Sequence, residues 1–156
     1  MFEALKKVYV FSTSIVRFIG RLSESFETFS GIKQGAASSV ILFIMFMDDI
    51  IDYIKERCVV EPLLHDIHCL IHADDTVILS TDRDLFIKKC ELAFGYFSNN
   101  KLLLNMSKTS YMVINGTNIP KCDLHVGDKL LKYQSTQMYL GAIIKDSGNI
   151  GHRSKQ

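Results

Sequence analysis

Two aspartates, Asp74 and Asp75, stand side by side in the stretch CLIHADDTVILS, residues 69 to 80. The flanking runs are rich in Ile, Val and Leu, and Ala-Asp-Asp has turn character. The stretch therefore predicts a β-hairpin over residues 66 to 72 and 76 to 80 with both carboxylates at its tip. Adjacent like charges repel, and a hard divalent cation with oxygen ligands, Mg²⁺ above all, relieves the repulsion by sharing both. Two such ions about 3.5 to 4 Å apart can activate an attacking hydroxyl and stabilise a leaving oxygen on a phosphate, provided another strand adds a further carboxylate. Asp-Asp also occurs as an ordinary solvated turn. The core-quality strands on both sides favour the metal site, because a rigid tip is what a preorganised site requires.

Two other groups of residues invite comparison. Asp48-Asp49 falls within a predicted helix beside Asp52, Lys55 and Arg57, where neighbouring side chains diverge by about 100°, so a solvated helix face accounts for it. Cys58, His65, His68, Cys69 and His72 are soft donors close in sequence and raise the possibility of zinc. In a strand, however, His68 and His72 share a face about 13 Å apart, at roughly 3.3 Å per residue, whereas zinc ligands converge at about 2 Å. Core or edge histidines are the better reading.

The elements that would hold the tip follow from periodicity. Leu5, Val8, Tyr9, Ile15, Phe18 and Ile19 fit a helix from Phe2 to Arg21. SESFETFSGIKQG alternates around Phe26 and Phe29, which suits a short strand or hairpin arm leading into a Gly31 to Gly35 loop. Ser38 or Ser39 can N-cap a helix with Val40, Phe43, Ile44, Met47, Ile51 and Ile54 on one face; its first half is apolar all round, which predicts burial. Thr81 can cap a second helix, with Asp84 in its first turn, a stripe of Phe86, Cys90, Ala93 and Phe97, and an end near Asn99-Asn100. These two helices are expected to cover the hairpin. Short strands are expected at Leu102 to Leu104, Tyr111 to Ile114, about Leu124 to Val126, Leu130 to Tyr133 and Met138 to Ile144. Turns at Asn115-Gly116 and Gly127-Asp128 separate several of them, the latter of type II′. The fold class is α+β: an antiparallel sheet with packed helices and a C-terminal set of short β-strands.

Composition sets the limits. The chain has 156 residues, 47% hydrophobic and 22% charged, with 10 Phe and 6 Tyr, enough for one core and one domain or a piece of one. The net charge of +1 shows no global basic excess. Lys6, Lys7, Arg17, Arg21, Lys33, Lys101 and Lys108 could meet phosphates, but scattered cations usually make a solvated surface. Four widely spaced cysteines without a CxxC pair or a secretory signal suggest reduced thiols in an intracellular protein, nuclear or cytoplasmic. The longest apolar run, Val40 to Met47, is far shorter than the roughly 20 residues of a membrane span.

HADDTVILS resembles the Tyr-Ala-Asp-Asp hairpin of reverse transcriptases, and GIKQGAASSVILFIMFMDDII resembles the motif that precedes it, Gly-Val-Arg-Gln-Gly-Cys-Pro-Leu-Ser-Pro followed by a Leu-Phe helix. LLLNMSKTSYMVI and MYLGAIIKDSGN resemble the Leu-Asn-x-x-Lys-Thr segment and the Tyr-Leu-Gly strand of non-long-terminal-repeat (LINE-type) retrotransposon enzymes. The four motifs keep the family order between Gly31 and Asn149.

The resemblance implies a partial polymerase palm spanning 1–156 as one domain, with a palm core at about 31–115 and C-terminal strands at about 116–145. Asp74 and Asp75 would be the catalytic carboxylates and Mg²⁺ ligands. Gln34, Gly35 and Lys108 would bind template and nucleotide, and Tyr139, Leu140 and Gly141 would contact the primer. The partners would be an RNA template, a DNA primer and a deoxynucleotide, with the oligomeric state left open. Family members take another Asp from a strand upstream of the Gln-Gly motif, whereas the first Asp here is Asp48. His72 replaces the aromatic residue before Ala-Asp-Asp, and AASSV replaces Cys-Pro-Leu-Ser-Pro. The chain is therefore expected to be catalytically incomplete alone. The alternative is a non-enzymatic nucleic-acid-binding or interaction remnant of the palm fold.

Overall fold

A computed structural model of the chain describes residues 7, 12–28, 31–32, 35–65, 67–116 and 118–152. The chain divides into two compact units, Met1–Asp49 and Ile50–Gln156. The class is α+β, built from several short sheets.

In the first unit β1 (Thr13–Ser14) pairs antiparallel with β4 (Phe26–Glu27), and β2 (Arg17–Phe18) pairs with β3 (Arg21–Leu22). These strands replace the helix expected up to Arg21. The β-branched run Thr13, Ile15 and Val16 disfavours helix, and Ile19 (φ 46°) and Gly20 (φ 75°) make a left-handed turn that no helix accommodates. The earlier part of that expected helix, other than Lys7, lies outside the described residues, as does Phe29.

Helix α1 (Ala37–Met47) follows. Its N-cap is Ala36 with no side-chain bond, so neither Ser38 nor Ser39 caps it. Val40, Ile41, Ile44 and Met45 are 55% to 66% exposed, contrary to the burial expected of them. An all-round apolar helix is buried only where other elements cover it, and the remaining described elements of this unit are strands of two residues each.

Helix α2 (Asp49–Lys55) belongs to the second unit from Ile50 onward. The single helix expected from residue 39 is interrupted at Asp48, and the buried pair in α2 is Ile50 and Ile54 rather than Ile51 and Ile54. Asp48, Asp49 and Asp52 are solvent-exposed. Strands β5 (Cys69–His72) and β6 (Asp75–Ile78) form the expected hairpin as a two-stranded sheet. Helix α3 (Arg83–Asn99) packs on β6 and buries Cys90, Ala93 and Phe97 of the stripe read from the sequence, while Phe86, its first member, is half-buried against the core. Its N-cap is Asp82, whose carboxylate accepts from the Leu85 N–H at 2.8 Å; Thr81, the expected cap, turns to Glu61 instead. At its C-terminus the Lys101 N–H donates to Ser98 O and the Leu102 N–H to Phe97 O, a Schellman closure with Lys101 at φ 58° where glycine is usual.

Beyond α3, β7 (Ser110–Tyr111), β9 (Lys129–Tyr133) and β8 (Leu124–Val126) form one sheet in the order β7-β9-β8, parallel between β7 and β9. Cys90, Tyr111, Leu124, Val126 and Leu131 make the core between this sheet and α3. The Gly127-Asp128 turn has φ 58° at its first central position, as a type II′ hairpin needs. Leu102 to Leu104 is not a strand: it pairs with no ladder, and Leu103 is 99% exposed. The strand expected from Tyr111 to Ile114 shrinks to its first residue, because the chain bends at Ile114 and Asn115. Met138 to Ile144, read as one strand, is a hairpin. There β10 (Thr136–Tyr139) turns at Leu140-Gly141 into β11 (Ala142–Lys145), and β12 (Ile150–His152) completes the sheet. Positive φ at both Leu140 (49°) and Gly141 (83°) is the type I′ pattern, and leucine gives no warning of it.

Candidate active site

The register Cys69↔Ile78 through His72↔Asp75 leaves Ala73 and Asp74 as the two central residues of the hairpin turn. Ala73 has φ 51°, a left-handed conformation that L-residues other than Asn, Asp and Gly rarely adopt. Asp74 therefore sits in the turn and Asp75 is the first residue of β6, both exposed. Their oxygens are hard donors held a residue apart at the end of a short ladder.

The base of the hairpin is fastened by residues that periodicity did not flag. Leu79 extends the ladder by donating its N–H to His68 O at 3.0 Å. The Lys89 ammonium, on α3, donates to Leu79 O at 2.7 Å and to Glu61 Oε1. Glu61 Oε2 accepts from Ser80 Oγ at 3.0 Å, from Thr81 Oγ1 at 2.7 Å and from the Thr81 N–H. The side chains of Lys89 and Glu61 are 0% and 4% exposed. Burial alone would raise the Glu61 carboxyl, but the Lys89 ammonium and the Thr81 and Ser80 donors outweigh it and bring it to about 2. A lysine within an apolar helix stripe, a hydroxyl pair after a strand and a lone upstream glutamate carry no periodic signal. The one available clue is a charge on a face otherwise occupied by Phe86, Cys90, Ala93 and Phe97.

The other residues singled out from the sequence occupy separate turns. Gly35 has φ 82° in the first unit, and Gln34 lies outside the described residues. Lys108 is exposed in a turn built by Asn105, whose backbone carbonyl accepts from the Lys108 N–H at 3.0 Å and whose side chain accepts from Ser107 Oγ at 2.7 Å. Tyr139, Leu140 and Gly141 stand together at the β10–β11 turn. Ser107, Thr109, Ser110, Lys132, Gln134 and Gln137 are among the residues that line an open cleft of about 590 Å³; neither aspartate lines it.

Among the described residues no group of three or more His, Cys, Asp or Glu is placed to hold a metal ion. Burial pushes the Cys58 and Cys69 thiols up and takes Cys90 to about 12, as expected of thiols in apolar surroundings. Also among the described residues, no helix is long and apolar enough to cross a membrane.

Residues 1–144 match the family described as reverse transcriptase (RNA-dependent DNA polymerase). The chain belongs to the reverse transcriptase family. No curated protein and no solved structure matches it. Reverse transcriptases bind a nucleic-acid template and primer and a deoxynucleotide, and use a divalent metal. The exposed Asp74-Asp75 pair fits a share of such an ion's shell, since Mg²⁺ takes one or two carboxylates and keeps water or phosphate oxygens for the rest.

Proposed function

We propose that the chain is the palm portion of a LINE-type reverse transcriptase, and that its Asp74 and Asp75 are the catalytic carboxylates for RNA-templated DNA synthesis inside the cell. The observation that supports this reading is the two-residue turn that carries Asp74 at its centre and Asp75 at the head of β6, in a chain of this family. The palm core would run over about 31–115, followed by the C-terminal strands. Asp74 and Asp75 would hold Mg²⁺, which when bound supplies charge neutralisation at the reacting phosphate and a more acidic primer hydroxyl. The chain's own contributions are distinct. Lys108, exposed on its Asn105-built turn, would meet the triphosphate of the deoxynucleotide, while Gln34 and Gly35 would shape the pocket of the templating base. Tyr139, Leu140 and Gly141 would steady the primer.

We further propose that residues 1 to 156 do not polymerise by themselves. Two-metal transfer needs carboxylates on more than one side of the ions, and Asp74 with Asp75 offers one side. Deoxynucleotide incorporation on an RNA template is the test: none by this chain alone, activity once an upstream segment bearing another Asp is added, and loss of that activity with Asp74→Ala. Incorporation by residues 1 to 156 alone, lost on Asp74→Ala, would overturn the incompleteness. Full activity of the longer protein carrying Asp74→Ala would overturn the site.

A further inference from the structure

We infer that Glu61 and Lys89 are positioning residues for the Asp74-Asp75 tip: their buried ion pair ties both legs of the β5–β6 hairpin together at its base. The inference rests on the reading of that tip as the divalent-metal site.

A two-stranded ribbon is marginal by itself, and β5–β6 has four residue pairs with no third strand beside it among the described residues. Its tip also contains a left-handed alanine. Something outside the ladder must fix its direction. On the incoming leg, Glu61 O accepts from the Leu64 N–H at 3.1 Å and the His65 N–H at 2.7 Å, and Leu64 O accepts from the Ile67 N–H at 2.9 Å, which delivers the chain to β5. On the outgoing leg, the Glu61 carboxylate takes both hydroxyls that follow β6 and the Thr81 N–H, while Lys89 holds Leu79 O. One residue thus organises the entry through its backbone and the exit through its side chain. Lys89 adds the long helix α3 as a rigid support.

A buried ion pair is weak evidence for stability, because well-packed apolar residues often do as well. What apolar residues cannot supply is direction. Five donor–acceptor lines converge on the Glu61 carboxylate and the Lys89 ammonium, and together they join three places in the chain: Glu61, residues 79 to 81 at the exit of β6, and helix α3. Such residues would act on the tip through the ladder of β5–β6, by fixing its direction, without touching the ion.

The test is an Mg²⁺ titration of residues 1 to 156 followed through the amide resonances of Asp74, Asp75 and Thr76, with hydrogen exchange read at the same time. The variants are Glu61→Gln, Lys89→Met and, as a control for mere destabilisation, Asp82→Ala, which removes the α3 cap. In folded Glu61→Gln or Lys89→Met the tip should bind Mg²⁺ about tenfold more weakly. Exchange at the tip amides should accelerate well beyond any change at the β8–β9 amides, which report the global loss of stability. Asp82→Ala should leave the tip affinity at the wild-type value. A folded Glu61→Gln with unchanged tip affinity and tip exchange would overturn the inference. So would acceleration spread equally over β8–β9. A wild-type tip that does not respond to Mg²⁺ would instead overturn the metal reading, and exchange confined to the hairpin in Glu61→Gln would still support the clamp.

Discussion

Glu61 and Lys89, 28 residues apart in sequence, join their charges in the interior with side chains 4% and 0% exposed. The pair links the turn before β5 to helix α3, and Ser80 and Thr81 complete the shell of the carboxylate. Removing one partner strands the other. Lys89→Met should destabilise the chain by about 3 to 5 kcal/mol in urea denaturation, while Glu61→Gln/Lys89→Met together should cost clearly less than the sum of the single changes. Additive losses would show that the two groups do not interact.

The same carboxylate sets an acid limit. The Glu61 carboxyl titrates at about 2 in the folded chain, against about 4.3 for an unfolded glutamate. A folded value below the unfolded one means that the stabilisation is complete above about pH 4.5 and is lost as pH falls toward 2. Its size is about 3 kcal/mol. Stability measured from pH 6 to pH 2 should fall through that window in the wild type and fall less in Glu61→Gln; parallel curves would assign the acid sensitivity elsewhere.

Asp82 caps α3 through its side chain, which accepts from the Leu85 N–H at 2.8 Å. Asp82→Ala should cost about 1 kcal/mol, and Asp82→Ser far less, since a hydroxyl oxygen can accept the same bond. Equal losses in the two variants, by thermal or urea unfolding, would argue against the cap.

Ala73 occupies the left-handed position of the catalytic-candidate turn at φ 51°. A β-branched side chain is worse there than alanine, so Ala73→Val should destabilise the hairpin by about 1 to 3 kcal/mol. Ala73→Gly should stay within about 1 kcal/mol of wild type, because relief of the backbone offsets the added chain entropy. Hydrogen exchange at the β5–β6 amides reads both; a tolerated valine would mean that the turn takes another form.

Where the sequence was readable, local rules and tertiary context agreed. The Ile, Val and Leu runs around Asp74-Asp75 pair as a hairpin because both the pattern and the turn favour it, and Cys90, Ala93 and Phe97 face inward as their spacing requires. Gly127 announces its turn through the only residue type that adopts φ 58° freely. Leu140 does the same work with no such signal, and Tyr139 to Gly141 was hidden inside an apparent single strand. The segment from Thr13 to Leu22 misled because Ile15, Phe18 and Ile19 fit a helical stripe while their β-branched neighbours and Gly20 favour strands and a turn.

The sequence by itself determined the α+β class, the hairpin with its two carboxylates and the motifs that mark a reverse transcriptase, since each rests on neighbours within a few residues of one another. Tertiary structure alone decided that Asp82 rather than Thr81 caps α3, that Leu102 to Leu104 stays unpaired, and that a glutamate and a lysine close the base of the hairpin. A buried charge is tolerated only if its partner arrives across the fold. Periodicity records which face a residue takes along its own element, and nothing about what that face will meet.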